Sequence, residues 1–435
     1  MQDEYYPVEN GQPVIPPEEK TAPAAAPAAV PAAAPVPKYA LAKKAYSKVG
    51  LAVLFLFLAM QVIGTVIQMV GILRLVIPAV LEESLRNPQD FLADFGEIYR
   101  KVMNMILQEM SSGLTPYMLI GTVVGLAAAI LIAGGILRKT PAARIPRRRL
   151  SGKEYFFMLA VSLGLWGVGA VIGNLPSICG LVNPLDSLMS GEGLWGALLT
   201  LYAMFGAPVL EELAFRKLLL DRLQPYGEVP AAFLSALLFG MFHGNSAQFI
   251  LAFMVGLAFA AVYLKTGNVW YSISFHMVIN TVASLGELVS ILTGKTELLG
   301  MDLEWLRMGL IALLGVIGTV IAVSKRRSPL LALKRPDYLN CNRVMFRNAG
   351  FIIFTVMISL TVVEMDAAMF VTNFLVPEEI FGGMEIHPLA FLSFLPTVLY
   401  FGSLIAIIKT VGKHSDMMTT AAEYVPDGAD ANKIP

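Results

Sequence analysis

Ten apolar stretches, separated by charged or turn-rich ones, set the pattern of the chain. They fall near residues 49–72, 115–137, 155–175, 194–215, 229–247, 249–264, 268–292, 305–324, 349–365 and 389–408. A helix of about 20 apolar residues crosses a hydrocarbon core of about 30 Å. The pattern therefore predicts an all-α fold, a polytopic transmembrane helical bundle of about ten spans. Gly121 and Gly125 in the second span have the small-xxx-small spacing of closely packed membrane helices. Pro208 is expected to kink the fourth span or to begin a fresh helical segment there. Between the first two spans, residues 74–113 carry Glu82, Glu83, Asp90, Asp94 and Glu97 and read as an external loop with helical character.

Composition sharpens this picture. The chain is 56% hydrophobic and only 15% charged, with a mean hydropathy of +0.66, far more apolar than a soluble domain. Residues 1–38 are the exception. They hold nine of the 26 prolines, many alanines and no sustained apolar run, so they read as a disordered cytoplasmic tail rich in Pro and Ala. No short apolar core follows a basic start, so the first apolar run is expected to be a retained span and not a cleaved signal. The expected organisation is a tail over 1–38, N-terminal spans and loop over 39–150, a membrane core over 151–300, further spans over 301–410 and a second cytoplasmic tail over 411–435.

Net charge is zero, but its distribution is not even. Seven Lys or Arg residues lie between Arg138 and Lys153, which fixes that loop in the cytoplasm by the positive-inside rule. Alternating the spans from this anchor puts both termini in the cytoplasm. It puts Asp186, Glu192, Glu297, Asp302, Glu378, Glu379 and Glu385 outside. The expected setting is a multi-pass protein of the cell membrane, with the lipid bilayer as surroundings and no nucleic-acid partner. Cys179 and Cys341 fall on opposite sides in this topology and have no metal-ligand spacing, so they read as packing residues.

Ionisable groups inside such sequence are costly and point to function. They concentrate between Pro208 and Asn280. Glu211 and Glu212 are followed by Arg216, Phe239 by His243 four residues on, and His276 by Asn280 four residues on. On a helix Glu212 and Arg216 share a face while Glu211 points elsewhere. Glu212 is thus expected to be neutralised by Arg216, and Glu211 to face a cavity. A carboxylate beside an imidazole can take a proton from water and direct hydroxide at a peptide carbonyl. His276 and Asn280, one turn apart, can offer two donors to the resulting oxyanion, on the order of 3 kcal/mol each. The bland reading of each piece is a solvated helix end and packing histidines; their confinement to one short region argues for a site. His387 and His414 look incidental, and Glu287 reads as structural or cavity-lining. Gly191 to Gly196 fits GxGxxG, but no strand precedes it, and HExxH, GxSxG and Walker patterns are missing.

The runs PVLEELAFRKLLLDRL and LSALLFGMFHGNSAQFILAFMVGLAFAAVYLKTGNVWYSISFHMVINTV resemble the CPBP family of intramembrane proteases, the CAAX prenyl endopeptidase and bacteriocin-processing group also called the Abi family. Its motifs EExxxR, FxxxH and HxxxN are present in order between Phe205 and Ser284. The resemblance implies a hydrolase in which Glu211 is the catalytic base with His243 beside it. Glu212 and Arg216 then order the site, and His276 and Asn280 form the oxyanion pocket. Zinc is the one cofactor the family suggests, with Glu211, His243 and His276 as its ligands; a metal-free mechanism is favoured because Asn is a poor zinc ligand and a good donor. Lys217 departs from the Gly common after the Arg. The implied substrate is a membrane-associated protein or peptide, and the character of the chain is bacterial. The competing readings are a non-catalytic scaffold or bacteriocin-immunity protein, which should have lost part of the motif set, and a proton-coupled transporter, which should show paired halves.

Overall fold

A computed structural model describes residues 8–9, 12–13, 38–86, 113–175, 193–333, 346–374, 396–402 and 404–405. The chain divides into two units, Met1–Val36 and Pro37–Pro435. In the first, strands β1 (Val8–Glu9) and β2 (Gln12–Pro13) pair antiparallel, Val8 opposite Pro13. The expected disordered tail otherwise lies outside the described residues, as do Cys179, Cys341, His387, His414 and the tail over 411–435.

The second unit is helical. Its elements are α1 (Lys38–Arg86), α2 (Thr115–Leu137), α3 (Gly152–Gly173), α4 (Gly193–Tyr226), α5 (Glu228–Met241), α6 (Ser246–Thr266), α7 (Val269–Ala283), α8 (Leu285–Thr293), α9 (Leu303–Ser324) and α10 (Ala349–Phe374). Residues 396–402 are also helical, and a hairpin of β3 (Glu297–Leu298) and β4 (Met301–Asp302) joins α8 to α9. Among the described residues seven helices are long and apolar enough to cross a membrane, eight with the bent pair α7 and α8 counted as one span. This is a multi-pass membrane protein.

Most ends follow from local chemistry. Ser151 and Glu154 cap α3 reciprocally, Asn245 accepts from the Gln248 amide at the start of α6, and Gly267 ends α6 at φ +59°. The basic strap 141–150 crosses that end. The Ala143 amide donates to the Asp221 carbonyl and the Arg148 amide to Thr266. Gly121 and Gly125 lie against Gly64 and Met60 of α1. In a second close crossing, a Cβ on Gly164 of α3 would stand 2.6 Å from the Thr319 amide of α9. α6 packs on α3 and α5, and α1 runs along both α2 and α10.

Three expected boundaries move. The first span, expected over 49–72, is the middle of a 49-residue helix, because the Ala- and Lys-rich entry and the Leu- and Glu-rich exit both favour helix and Pro78 removes one bond only. The expected external loop is thus helical to Arg86, and 87–112 lies outside the described residues. The fourth span does not end near 215 but continues to Tyr226 as part of a 34-residue helix. The fifth, expected over 229–247, is only 14 residues long, about 21 Å. At that length α5 is shorter than the spanning helices, and the chain turns through 242–245 into α6. Only 396–405 of the tenth expected span, residue 403 excepted, lies within the described residues.

Candidate active site

The site is built on an irregular stretch of α4. Pro208 has no amide hydrogen, and of the two expected outcomes the structure shows a fresh α-helical segment, Ala207–Glu212, that begins just before it and follows a widened turn. Tyr202–Gly206 is a π-helical turn in which the Ala207 amide donates five residues back to the Tyr202 carbonyl. That diverts the ordinary partner of the Ala203 carbonyl, and the next candidate donor along would be Pro208. Asn280 of α7 fills the vacancy, its Nδ2 donating to the Ala203 carbonyl at 2.8 Å. A second π-helical stretch, Leu213–Leu220, follows the acidic pair. Glu211 and Glu212 are therefore held in the interior of α4, 15 residues before its end at Tyr226, about 22 Å along the axis.

Four ionisable groups form a chain there. Arg216 Nε stands 3.0 Å from Glu212 Oε2. Glu212 Oε1 stands 3.3 Å from His276 Nδ1, and His276 Nε2 stands 3.6 Å from Glu211 Oε2. The side chains of Arg216 and Glu212 are 0% exposed, that of His276 6%, and that of Glu211 24%. Burial thus falls steadily toward Glu211, the one carboxylate of the chain that meets the outside. These are ion-pair distances without hydrogen-bond alignment, and Arg216 Nη1 and Nη2 have no hydrogen-bond partner among the described residues. Aromatic faces stand in for one: the guanidinium carbon lies 5.0 Å from the Phe239 ring centre and 5.7 Å from that of Phe259.

His243 stands in the turn after α5, not in a helix as expected. Its Nδ1 lies 2.9 Å from the Phe239 carbonyl. A carbonyl only accepts, so Nδ1 carries the proton and the Nε2 lone pair is left for a ligand or a proton. Phe239 is the shared wall of both histidines, edge-on to His243 at 5.2 Å and to His276 at 5.6 Å. His243 is within electrostatic reach of both Glu211 and His276.

All seven motif residues are thus gathered by α4, α5, its following turn and α7, but their pairing differs from the expected one. The imidazole in contact with Glu211 is that of His276, which also touches Glu212. Asn280 already commits one amide hydrogen to the backbone of α4 and keeps a second. Lys217 stands in a separate network, donating to Asp221 Oδ2 at 2.6 Å and to the Tyr263 hydroxyl at 2.7 Å. Glu287 lies in α8, past the 57° bend. The zinc set Glu211, His243 and His276 does not come together as a three-donor group among the described residues. His276 instead turns both nitrogens to carboxylates.

Sequence reasoning missed three neighbours. Phe259 lies 5.0 Å from the His276 ring, and nothing in its spacing marks it. Buried Ser272 precedes His276 by four residues, a spacing that puts it on the same face of α7. The hydroxyl of Tyr202 is buried without a hydrogen-bond partner among the described residues and lies within electrostatic reach of Glu211.

Comparison with known proteins bears on the same region. The family model described as "Type II CAAX prenyl endopeptidase Rce1-like" matches residues 193–282, the stretch from the start of α4 to the end of α7. A curated protein of Bacillus subtilis (strain 168), "Putative membrane peptidase YdiL", is 28% identical over 142 residues, 31% of this chain and 54% of its own length. The chain therefore spans about half of that relative. No solved structure matches the chain.

Proposed function

Taking residues 193–282 as an Rce1-like segment of the CPBP family, we propose that the protein is an intramembrane endopeptidase. It hydrolyses a peptide bond of a membrane-associated protein or peptide with water activated by Glu211 and His243. The observation that carries this reading is the buried chain Arg216, Glu212, His276, Glu211, which opens to the outside at Glu211 only.

In this reading Glu211 and the Nε2 lone pair of His243 receive the water, and Glu211 takes its proton as the oxygen attacks the peptide carbonyl carbon. The carbonyl π pair moves onto oxygen. His276 is suited to meet that charge: its Nδ1 lies beside Glu212, whose own charge is matched by Arg216, and its Nε2, on the Glu211 side, is the ring nitrogen nearest the reacting group. Asn280 offers its second amide hydrogen. When the tetrahedral intermediate collapses, the C–N bond breaks and the proton held by Glu211 passes to the leaving nitrogen, giving a carboxylic acid and an amine, between which the remaining water proton then moves to leave carboxylate and ammonium. No step uses a metal.

The test is cleavage of a pooled membrane-peptide library by protein in nanodiscs. Glu211→Ala, His243→Ala and His276→Ala should each lose cleavage at least about 100-fold while folding as wild type, consistent with the loss of a general base or an oxyanion donor. Wild-type cleavage should survive a chelator. Chelator-sensitive cleavage would sink the metal-free chemistry, and product profiles identical in all four proteins would sink the protease reading.

A further inference from the structure

The C-terminal helices lie outside the family match, yet one of them reaches the active-site turn. Asp366 of α10 is buried, 7% exposed. Its Oδ1 accepts from the Ser246 hydroxyl at 2.8 Å and its Oδ2 from the Thr397 hydroxyl in the helical residues 396–402. Both oxygens are thus used as acceptors, as suits a carboxylate, and the group sits at the N-terminal end of α6, where a helix favours negative charge. Ser246 is the first residue of that helix, and His243 stands three residues before it.

The connection to His243 is short and polar. Asn245 Nδ2 donates both to the His243 carbonyl, at 3.1 Å, and to Gln248 Oε1 in the first turn of α6. The turn also rests on α10 itself. Phe242 stacks on Phe354 at 5.2 Å, and a Cβ on Gly244, which has φ +69°, would lie 3.5 Å from Thr361. The His243 amide is tied back to α5 by a bond to the Gly240 carbonyl, at 3.2 Å. The far side of the turn is held by a buried carboxyl tied to two other elements, and neither α5 nor α7 supplies an equivalent contact to Ser246 among the described residues.

We infer that Asp366 is a positioning residue for the active site: by binding Ser246 and Thr397 together it fixes the start of α6, and through Asn245 the turn that aims His243. The C-terminal helices thereby belong to the working site, in addition to their part in the bundle. The claim about His243 stands on contacts alone; its catalytic consequence rests on the peptidase reading.

The experiment is solid-state NMR of 15N-histidine-labelled protein in lipid, with the His243 signals assigned by His243→Gln, alongside turnover of the library peptide that wild type cleaves. In wild type, His243 should show the Nδ1–H tautomer with a protected ring proton. Asp366→Ala should mix the tautomers and expose that proton, with His276 unchanged, and should lower kcat about 10-fold at constant KM, since a small misplacement of a reacting group has costs of this order. Asp366→Asn keeps an acceptor for Ser246, while the Thr397 hydroxyl can turn to accept, so it should restore the His243 signature. If Asp366→Ala does not fold, Ser246→Ala and Thr397→Val should each shift the signature in the same direction by less. An unchanged His243 signature in the folded variants overturns the inference. A changed signature in a protein that cleaves nothing supports it and counts only against the peptidase reading.

Discussion

Adjacent glutamates with opposite surroundings are the residue-scale feature of this protein. Glu212 has no exposed surface and answers the charge of Arg216, whose outer nitrogens meet aromatic rings. Removing one member of such a pair strands the other charge, at about 3–5 kcal/mol. Arg216→Ala and Glu212→Ala should therefore lower the unfolding midpoint markedly in a thermal melt in detergent. Glu211 meets an imidazole, not a guanidinium, and its side chain is 24% exposed, so Glu211→Gln should leave the midpoint within about 2 °C while removing cleavage. Equal midpoints for the Glu211 and Glu212 variants would contradict this division of labour. The adjacency of the two acids and the four-residue step to Arg216 are legible in the sequence. The third partner, His276, is not, because it arrives from another helix.

At the scale of elements, α4 shows how a proline is accommodated inside a 34-residue helix. The helix widens into a π turn, and Asn280 satisfies the carbonyl that the widening orphans. Asn280→Leu should leave a partly buried acceptor unpaired, at about 1 kcal/mol. It should also loosen the turn ahead of Glu211, seen as faster hydrogen exchange over 203–208. Asn280→Asp cannot donate when ionised and should behave likewise, whereas Asn280→Gln should retain part of the protection. Unaltered exchange in Asn280→Leu would mean that Pro208 and its neighbours set the π turn alone. The short α5 is the complementary case. By ending at Met241 it leaves His243 in a turn, where its direction depends on α6 and α10.

For the whole molecule the decisive feature is the strap 141–150, whose backbone is tied to Asp221, Thr266 and the Tyr271 hydroxyl. It carries exposed Arg144, Arg147 and Arg149 over the ends of α4, α6 and α7. We place this face in the cytoplasm on the positive-inside rule. With Cys179 and Cys341 replaced by Ser, Arg144→Cys should react with an impermeant maleimide only when the cytoplasmic face is open to it, and Thr296→Cys, between α8 and β3, only from the opposite face. Reversed labelling would invert the topology and with it the side from which Glu211 is reached.

Hydropathy is a local, additive property, so the sequence alone determined that the chain crosses a membrane many times and where most crossings lie; α2 runs over the expected 115–137. Residue identity at fixed helical steps also singled out the candidate side chains and determined that Glu212 would meet Arg216. Only the tertiary structure decided which imidazole meets which carboxylate. Glu211 and His276 are 65 positions apart in the chain, and no periodicity spans separate helices. The same holds for the π turn, which depends on a donor from α7, for the short α5, whose apolar pattern runs on past its end, and for Asp366, which has no motif around it. These are contacts between elements, set by how the helices pack and by where buried polar groups find partners.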